Sequence, residues 1–255
     1  MKLPTQPVQF VILIVLLLSL GLNRQTFSQR SLTTPTQILL ARPLEKMPLC
    51  FIANEGQFDP QVVYYVQGRD RMLYFTSQGV TFALLNATLG KSELPSRWIV
   101  KLDWLDANPK PNVIGKDQTE AAFGYFADAS GQGRRARTYQ TLVYENLWPG
   151  IDLIYRGTGE QMRYELLVKP GANPAQIKLA YRGASAVKLT PTGQVEVRTP
   201  LASWLEAKPI AYQEQNGQRS EVATGYTLDK KSGALGFLFG TYDTHQPLVI
   251  APEQP

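Results

Sequence analysis

The sequence predicts an exported all-β protein whose mature part folds as an antiparallel β-sandwich, and three observations carry that prediction. Apolar and polar side chains alternate along many short segments, which is the period of a half-buried strand. Turn sequences rich in glycine and proline separate these segments at steady spacing. From residue 50 onward no window keeps a helical period. These features indicate a sandwich or barrel, built as one unit or as two packed halves.

The N-terminal residues have the order of a secretory signal peptide. Lys2 gives a short basic start, an apolar run begins at Phe10, and Thr26-Phe27-Ser28 fits a small-x-small cleavage site. The run is shorter than the roughly 18 residues that a spanning helix needs, which favours a cleaved signal over an uncleaved anchor. We therefore predict a signal peptide over residues 1–28.

The segment after the predicted cleavage site has the composition of a flexible linker. Residues 29–48 contain prolines and charges that interrupt any apolar period. The folded domain is then expected over residues 49–255. We expect the protein to be secreted, or to lie in the bacterial periplasm or at the cell surface. It would contact the membrane only through an uncleaved signal segment.

Charge and cysteine content limit the classes of partner and the sources of stability. The formal net charge is +5, and it falls to +3 when Lys2 and Arg24 leave with the signal. This excess is too small to favour nucleic acid as a partner. Cys50 is the only cysteine, so no intrachain disulfide can form. Stability must come from core burial, for which the chain is long enough.

Period-two alternation is clearest in two segments. Within 97–104 the inward face is predicted to carry Trp98, Val100, Leu102 and Trp104, with charged residues between them. Within 162–169 the corresponding face carries Met162, Tyr164, Leu166 and Val168. Shorter runs of the same period are found at 151–155, 177–181, 195–197, 222–228 and 235–239.

The segments between these runs predict hairpin turns and one long loop. Asn216-Gly217 is the strongest hairpin signal, because a type I′ turn needs positive φ at both central residues. Pro174 suits a helix start, so 173–176 is expected to form a single turn. The polar segment Ala107–Glu120 is expected to be a long surface loop, or a join between two halves of one sandwich.

Several motifs occur in the order found in one bacterial family. They are Phe51–Phe58 (FIANEGQF), Trp148–Tyr155 (WPGIDLIY), Tyr164-Glu165, Pro170–Pro174, Pro209–Gln213 and Tyr242–Ile250. Over about residues 50–252 the chain resembles a domain of unknown function that precedes SBBP beta-propeller repeats in large exported proteins. Relatives continue into those repeats where this sequence stops, so the resemblance implies a head domain alone.

Two acidic residues in these motifs allow a functional and a structural interpretation. Asp152 could bind calcium or another ligand, or could accept backbone N–H bonds beside the turn at Gly150. Asp152 and Glu165 could form the carboxylate pair of a glycoside hydrolase. Alternatively, Glu165 is a solvated charge on the strand face opposite Arg156 or Arg163. The structural interpretation is favoured in both cases.

Other reactive residues do not form a recognised catalytic constellation. A catalytic triad would have to use His245, the only histidine, with Asp243 two residues before it. No Gly-x-Ser-x-Gly motif accompanies them. Cys50 is expected to be a small buried residue near the first strand. We therefore predict neither an enzyme nor a cofactor.

Two further groups of residues allow either a functional interpretation or a purely structural one. Arg134, Arg135 and Arg137 are expected on a hairpin loop, either touching anionic lipid or polysaccharide or simply solvated. The numerous tyrosines and tryptophans could build a carbohydrate platform. Because most fall on the apolar side of their strand, core packing is the better expectation.

The leading functional hypothesis is a non-catalytic module with a structural or adhesive role at the bacterial envelope, with envelope proteins or polysaccharide as partners. One alternative is a module that binds glycans or peptides through exposed aromatics or an open sheet edge. A carboxylate-dependent hydrolase is the least favoured. The candidate binding or structural residues are Trp148, Gly150, Asp152, Tyr164, Glu165, Tyr212 and Asp243.

Overall fold

A computed structural model of the chain describes residues 49–68, 71–86, 97–126, 133–159 and 161–252. The predicted signal peptide and linker lie outside these residues. Within the described ranges the chain forms eighteen β-strands and one short 3₁₀ helix. The all-β prediction is therefore confirmed.

The strands follow one another closely along the chain. Their bounds are β1 Phe51–Ala53, β2 Val62–Gln67, β3 Arg71–Thr76, β4 Gly79–Leu85, β5 Arg97–Leu105, β6 Asn112–Phe126, β7 Gly133–Trp148, β8 Ile151–Thr158, β9 Gln161–Val168, β10 Lys178–Arg182, β11 Ala186–Leu189, β12 Val195–Arg198, β13 Ser203–Glu206, β14 Pro209–Gln215, β15 Gln218–Val222, β16 Thr224–Leu228, β17 Leu235–Phe239 and β18 Leu248–Pro252. The 3₁₀ helix spans Pro174–Gln176, as predicted, and the Asn173 side chain accepts the Ala175 N–H at its start.

Fifteen strands form one large antiparallel sheet in the order β15-β14-β18-β9-β8-β7-β1-β2-β3-β4-β5-β10-β17-β16, with β6 paired to β7. The two ends of this path, β15 and β16, are consecutive in the chain and are separated only by Ala223. The Ala223 carbonyl accepts the Gly240 N–H at 2.7 Å. The two end strands of the sheet thus follow each other in the chain on either side of the bend at Ala223, and the sheet is nearly closed.

A second sheet of three short strands, in the order β11-β12-β13, packs against the interior of the first. Val195 and Val197 of β12 are fully buried and belong to the main core cluster. Trp204 of β13 stacks on Phe82 of β4, with ring centroids 5.9 Å apart. The small sheet therefore contributes to the same apolar core as the large one.

Burial along the strands confirms the predicted alternation. On β8, Ile151, Leu153 and Tyr155 are buried, and the residues between them are only partly so. On β5, Val100 and Trp104 are buried. Burying each such side chain contributes about 1.5–3 kcal/mol, so period-two positions supply most of the apolar stabilisation.

The hairpin signal at Asn216-Gly217 is also confirmed. Both residues have positive φ, 52° and 78°, and they connect β14 to β15. This is the backbone geometry of a type I′ turn, which matches the twist of the flanking strands.

Three local predictions were wrong. Most of Ala107–Glu120 is strand rather than loop, because β6 begins at Asn112 and pairs with β7. Arg135 and Arg137 lie within β7 and not on a hairpin loop, because the pairing of β7 with β6 includes both residues. The run 222–228 is divided at Ala223, since β15 pairs with β14 while β16 pairs with β17.

In the ranges that the structure describes, no helix has the length and apolar character needed to cross a membrane.

Candidate functional site

The central motif forms the turn between β7 and β8. Trp148 is fully buried, and its Nε1 donates to the Leu105 carbonyl at 3.0 Å. Gly150 has φ 74°, and a Cβ at this position would lie 2.7 Å from the Cβ of Ala172. The Gly150 carbonyl accepts the Lys169 N–H at 2.9 Å. Glycine is required here by both the backbone and the close approach of the following loop.

Asp152 stabilises an irregularity in the neighbouring strand. Its Oδ1 accepts the backbone N–H of Asn146 at 2.7 Å and the Nζ of Lys169 at 2.9 Å. Asn146 has φ 49° and lies where the β7–β8 register shifts, between Tyr144 and Trp148. The carboxylate therefore accepts a backbone N–H next to a turn, which is the structural role considered for it from the sequence.

Glu165 has a separate cationic partner. Its carboxylate lies 3.6 Å from Nε of Arg156, and both side chains are more than a third exposed. Asp152 pairs instead with Lys169. Each carboxylate therefore lies beside a different cation.

The closing motif joins β14 to the turn before β18. The side chain of Gln213, only 8% exposed, donates from Nε2 to the Asp243 carbonyl at 2.7 Å. Its Oε1 accepts the Asp243 N–H at 2.8 Å. Asp243 in turn accepts the His245 backbone N–H at 2.9 Å and contacts its Nδ1 at 3.2 Å. The bond from the His245 N–H lowers the pKa of the Asp243 carboxyl.

Tyr212 and His245 lie at the surface of this region. The guanidinium of Arg219 lies 4.2 Å from the centroid of the Tyr212 ring, across the β14–β15 hairpin. The His245 side chain is 94% exposed. Neither residue contributes to an enclosed site.

The opening motif is organised by Asn54. Its Oδ1 accepts the N–H groups of Gly56 and Phe58 at 3.2 and 3.0 Å, and its Nδ2 donates to the Val62 carbonyl at 2.8 Å. Glu55 pairs with Arg137 at 2.9 Å. The motif thus closes the loop that joins β1 to β2.

The side chains that could ligate a metal ion and the Cys50 thiol do not point to a reactive site in the described ranges. Among the described residues, no three histidine, cysteine, aspartate or glutamate side chains come together as metal ligands would. Cys50 is partly buried, and burial raises the pKa of its thiol. A raised pKa disfavours the reactive thiolate.

A cavity of about 170 Å³, partly open to solvent, is lined by strands of the large sheet and by Glu206 of the small sheet. Strands β4, β5, β8, β9, β10, β13, β16 and β17 contribute to its lining. Most lining groups are apolar or aromatic. The polar ones are Tyr155, Tyr164, Tyr181, Glu206 and Tyr226.

Glu206 is the only charged residue among the described residues that line the cavity. Its Oε1 accepts the hydroxyl of Tyr181 at 2.8 Å and the Nε1 of Trp204 at 3.0 Å. No cation pairs with it in the described part of the chain. Nearby, the hydroxyls of Tyr164 and Tyr226 share a hydrogen bond of 3.0 Å.

Burial keeps the tyrosines of this cavity neutral. It raises the pKa of Tyr155, Tyr164 and Tyr181 well above the ordinary value, and the negative charge of Glu206 raises them further. Burial also raises the pKa of Tyr226 to about 12. At neutral pH these tyrosines therefore present protonated hydroxyls to the cavity.

One buried polar group at the cavity lacks a partner. Trp104 is 6% exposed, and its Nε1–H has no hydrogen-bond acceptor in the described structure. Buried polar groups are usually satisfied, so this exception requires an explanation.

The sequence-predicted residues and the cavity overlap at only one position. Tyr164 lines the cavity, whereas Trp148, Gly150, Asp152 and Glu165 support the β7–β9 hairpins outside it. Glu206, which sequence reasoning missed, follows Trp204 by two residues. An acidic residue in phase with a tryptophan on a strand was the available signal, because such residues share one face.

Comparison with known proteins identifies a family and no closer relative. A family model described as "Domain of unknown function (DUF7948)" matches residues 51–253. No curated protein matches the chain. No solved structure matches it either.

Proposed function

We infer that this chain, which belongs to the DUF7948 family of domains of unknown function, is an exported, non-catalytic structural module of the bacterial envelope. One observation carries the proposal: the polar side chains of its motifs are bonded within the fold. Asn54, Asp152 and Gln213 each hold a turn or a loop by bonds to backbone groups. Such residues serve folding, and their spacing reflects the hairpins that they close.

The geometry of the acidic groups supports a role without turnover. Asp152 and Glu165 each have their own cation, and the side chain of His245 is almost fully exposed. A general acid or base is normally positioned in a site with a shifted pKa and restricted water access. Export is supported by the order of residues 1–28. The proposal also includes a position of this domain ahead of propeller repeats, which the motif resemblance supports.

Export and adhesion can be tested on the full chain. A tagged copy in a bacterial host is expected in the periplasmic or extracellular fraction, with a mature N-terminus near Gln29. The purified protein should sediment with isolated envelope polysaccharide or envelope protein. Cytoplasmic retention with Phe10 still present would contradict export. Hydrolase activity that disappears in Asp152→Asn, with the fold intact, would contradict the non-catalytic role.

A peptide-binding role is the second candidate, and exposed apolar side chains at sheet edges favour it. Leu189 is 38% exposed and Leu205 54% exposed. They lie on β11 and β13, the two outer strands of the small sheet. An outer strand can pair with an extended peptide. Binding to a peptide array that is lost in Leu205→Lys would support this role. Leu238→Lys, on the inner strand β17, is the matched control.

A further inference from the structure

We propose that the cavity at Glu206 is a binding site for a small organic cation, an ammonium group carried on a compact apolar or aromatic body. Leu153, Tyr155 and Tyr164 of the motifs line this site, whereas Asn54, Asp152 and Gln213, on which the structural role rests, are not among its lining residues. The proposed binding therefore goes beyond the structural role inferred above and does not depend on it.

The charge of the cavity selects for a cation. Among the described lining residues, Glu206 is the one that carries a charged side chain, and it is partly buried. Its partners in the described chain are the neutral donors Tyr181 and Trp204. A bound ammonium would give this carboxylate a cationic partner through a charge-assisted hydrogen bond. An anion would be repelled by the same group.

The remaining lining suits the body of such a ligand. Aromatic side chains of the large sheet line the cavity, among them Phe82, Trp104 and Tyr155. Aromatic rings attract organic cations through their electron-rich faces and also bury apolar surface. Because the tyrosine hydroxyls stay protonated, they offer hydrogen bonds without adding charge.

The volume limits the size of the ligand. The cavity measures about 170 Å³, and a cavity of about 150 Å³ accommodates a benzene ring. A single ring with one aminomethyl substituent is therefore close to the upper limit. The unbonded Nε1–H of Trp104 is available to a polar substituent on the same ligand.

A matched series of three probes tests the charge selection on the wild-type full chain. Benzylammonium, benzyl alcohol and benzoate share one ring and differ in charge. Isothermal titration calorimetry should show saturable binding of benzylammonium, and binding at least about tenfold weaker for benzyl alcohol. Benzoate should not bind. Equal binding of the alcohol and the cation, or no binding of the cation, would overturn the proposal.

Variants test the assigned residue. Glu206→Gln keeps the shape and removes the charge, so benzylammonium affinity should fall about tenfold or more while benzyl alcohol is unaffected. Glu196→Gln is the control, since Glu196 lies on the same small sheet, where it pairs with Arg198 at 2.7 Å. Equal losses of benzylammonium affinity in the two variants would show that the effect comes from the overall electrostatic field of the protein. That result would overturn the proposed site. If Glu206→Gln fails to fold, the wild-type probe series decides.

Discussion

Replacement of Asp152 by alanine is expected to destabilise the domain strongly, because its carboxylate holds a backbone N–H and an ammonium group. The side chain is 13% exposed and accepts two hydrogen bonds. A hydrogen bond between a backbone N–H and a carboxylate contributes about 1.5–3 kcal/mol. The ion pair with Lys169, whose side chain is 42% exposed, contributes only about 0.5–1 kcal/mol because water screens it.

These two contributions give an expected loss of about 2–4 kcal/mol in the free energy of unfolding. For a domain of this size that corresponds to a decrease in Tm of roughly 4–16 °C. Urea unfolding, followed by tryptophan fluorescence, measures the loss directly. Trp148 is a suitable reporter because it is fully buried two residues from the Gly150 turn.

Glu165→Ala is the matched control, because it removes a carboxylate from the adjacent strand with an exposed partner. Its expected cost is below about 0.5 kcal/mol. Asp152→Asn should fall between the two, since the amide oxygen can still accept the Asn146 N–H without its charge. Equal effects of Asp152→Ala and Glu165→Ala would refute the assignment of Asp152 as the residue that holds the β7 irregularity.

Three further predictions concern other parts of the fold. Gly150→Ala should cost about 2–4 kcal/mol in urea unfolding, because it combines positive φ with a clash at Ala172, and Ala172→Gly should restore part of the loss. Gln213→Ala should cost about 1–3 kcal/mol and speed amide exchange around Asp243, since both hydrogen bonds to the Asp243 backbone are lost. Tyr226 has its pKa raised to about 12, so its contribution to stability is complete below pH 10 and is lost as pH rises toward 12. Absorbance titration at 295 nm and urea midpoints between pH 9 and 12 measure this.

Matched controls separate these effects from general destabilisation. Gly159→Ala has positive φ but open space around the new Cβ, so about 1 kcal/mol is expected. Gln246→Ala removes a side chain whose bond to Asp243 is exposed, and little change is expected. Tyr226→Phe should reduce the loss of stability above pH 10. An unchanged alkaline profile in that variant would contradict the prediction.

Local features were predictable from the residues themselves. The alternation on β5, β8 and β9 follows from side chains that point to opposite faces of a strand. The turn at Asn216-Gly217 follows from the ease with which these residues take positive φ. The 3₁₀ turn at Pro174 follows from the fixed φ of proline. Each depends on interactions within a few residues of the chain.

Features that depend on a distant partner could not be predicted in the same way. The segment after Asn112 is polar and contains Gly115, and it is a strand only because β7 pairs along its length. The bend at Ala223 arises because two different strands receive the residues before and after it. The composition of a segment does not specify which distant strand will pair with its backbone.

The sequence by itself determined that the chain is built of strands, where most of them lie, and that Asn216-Gly217 forms a turn. Only the tertiary structure decided that the main sheet nearly closes and that the small sheet packs against its interior. It also decided that Glu206 meets Tyr164 and Tyr226 at one cavity, although they belong to three strands far apart in the chain. The reason is physical: strand periodicity is a property of neighbouring residues, whereas a cavity depends on which strands pair and which faces meet.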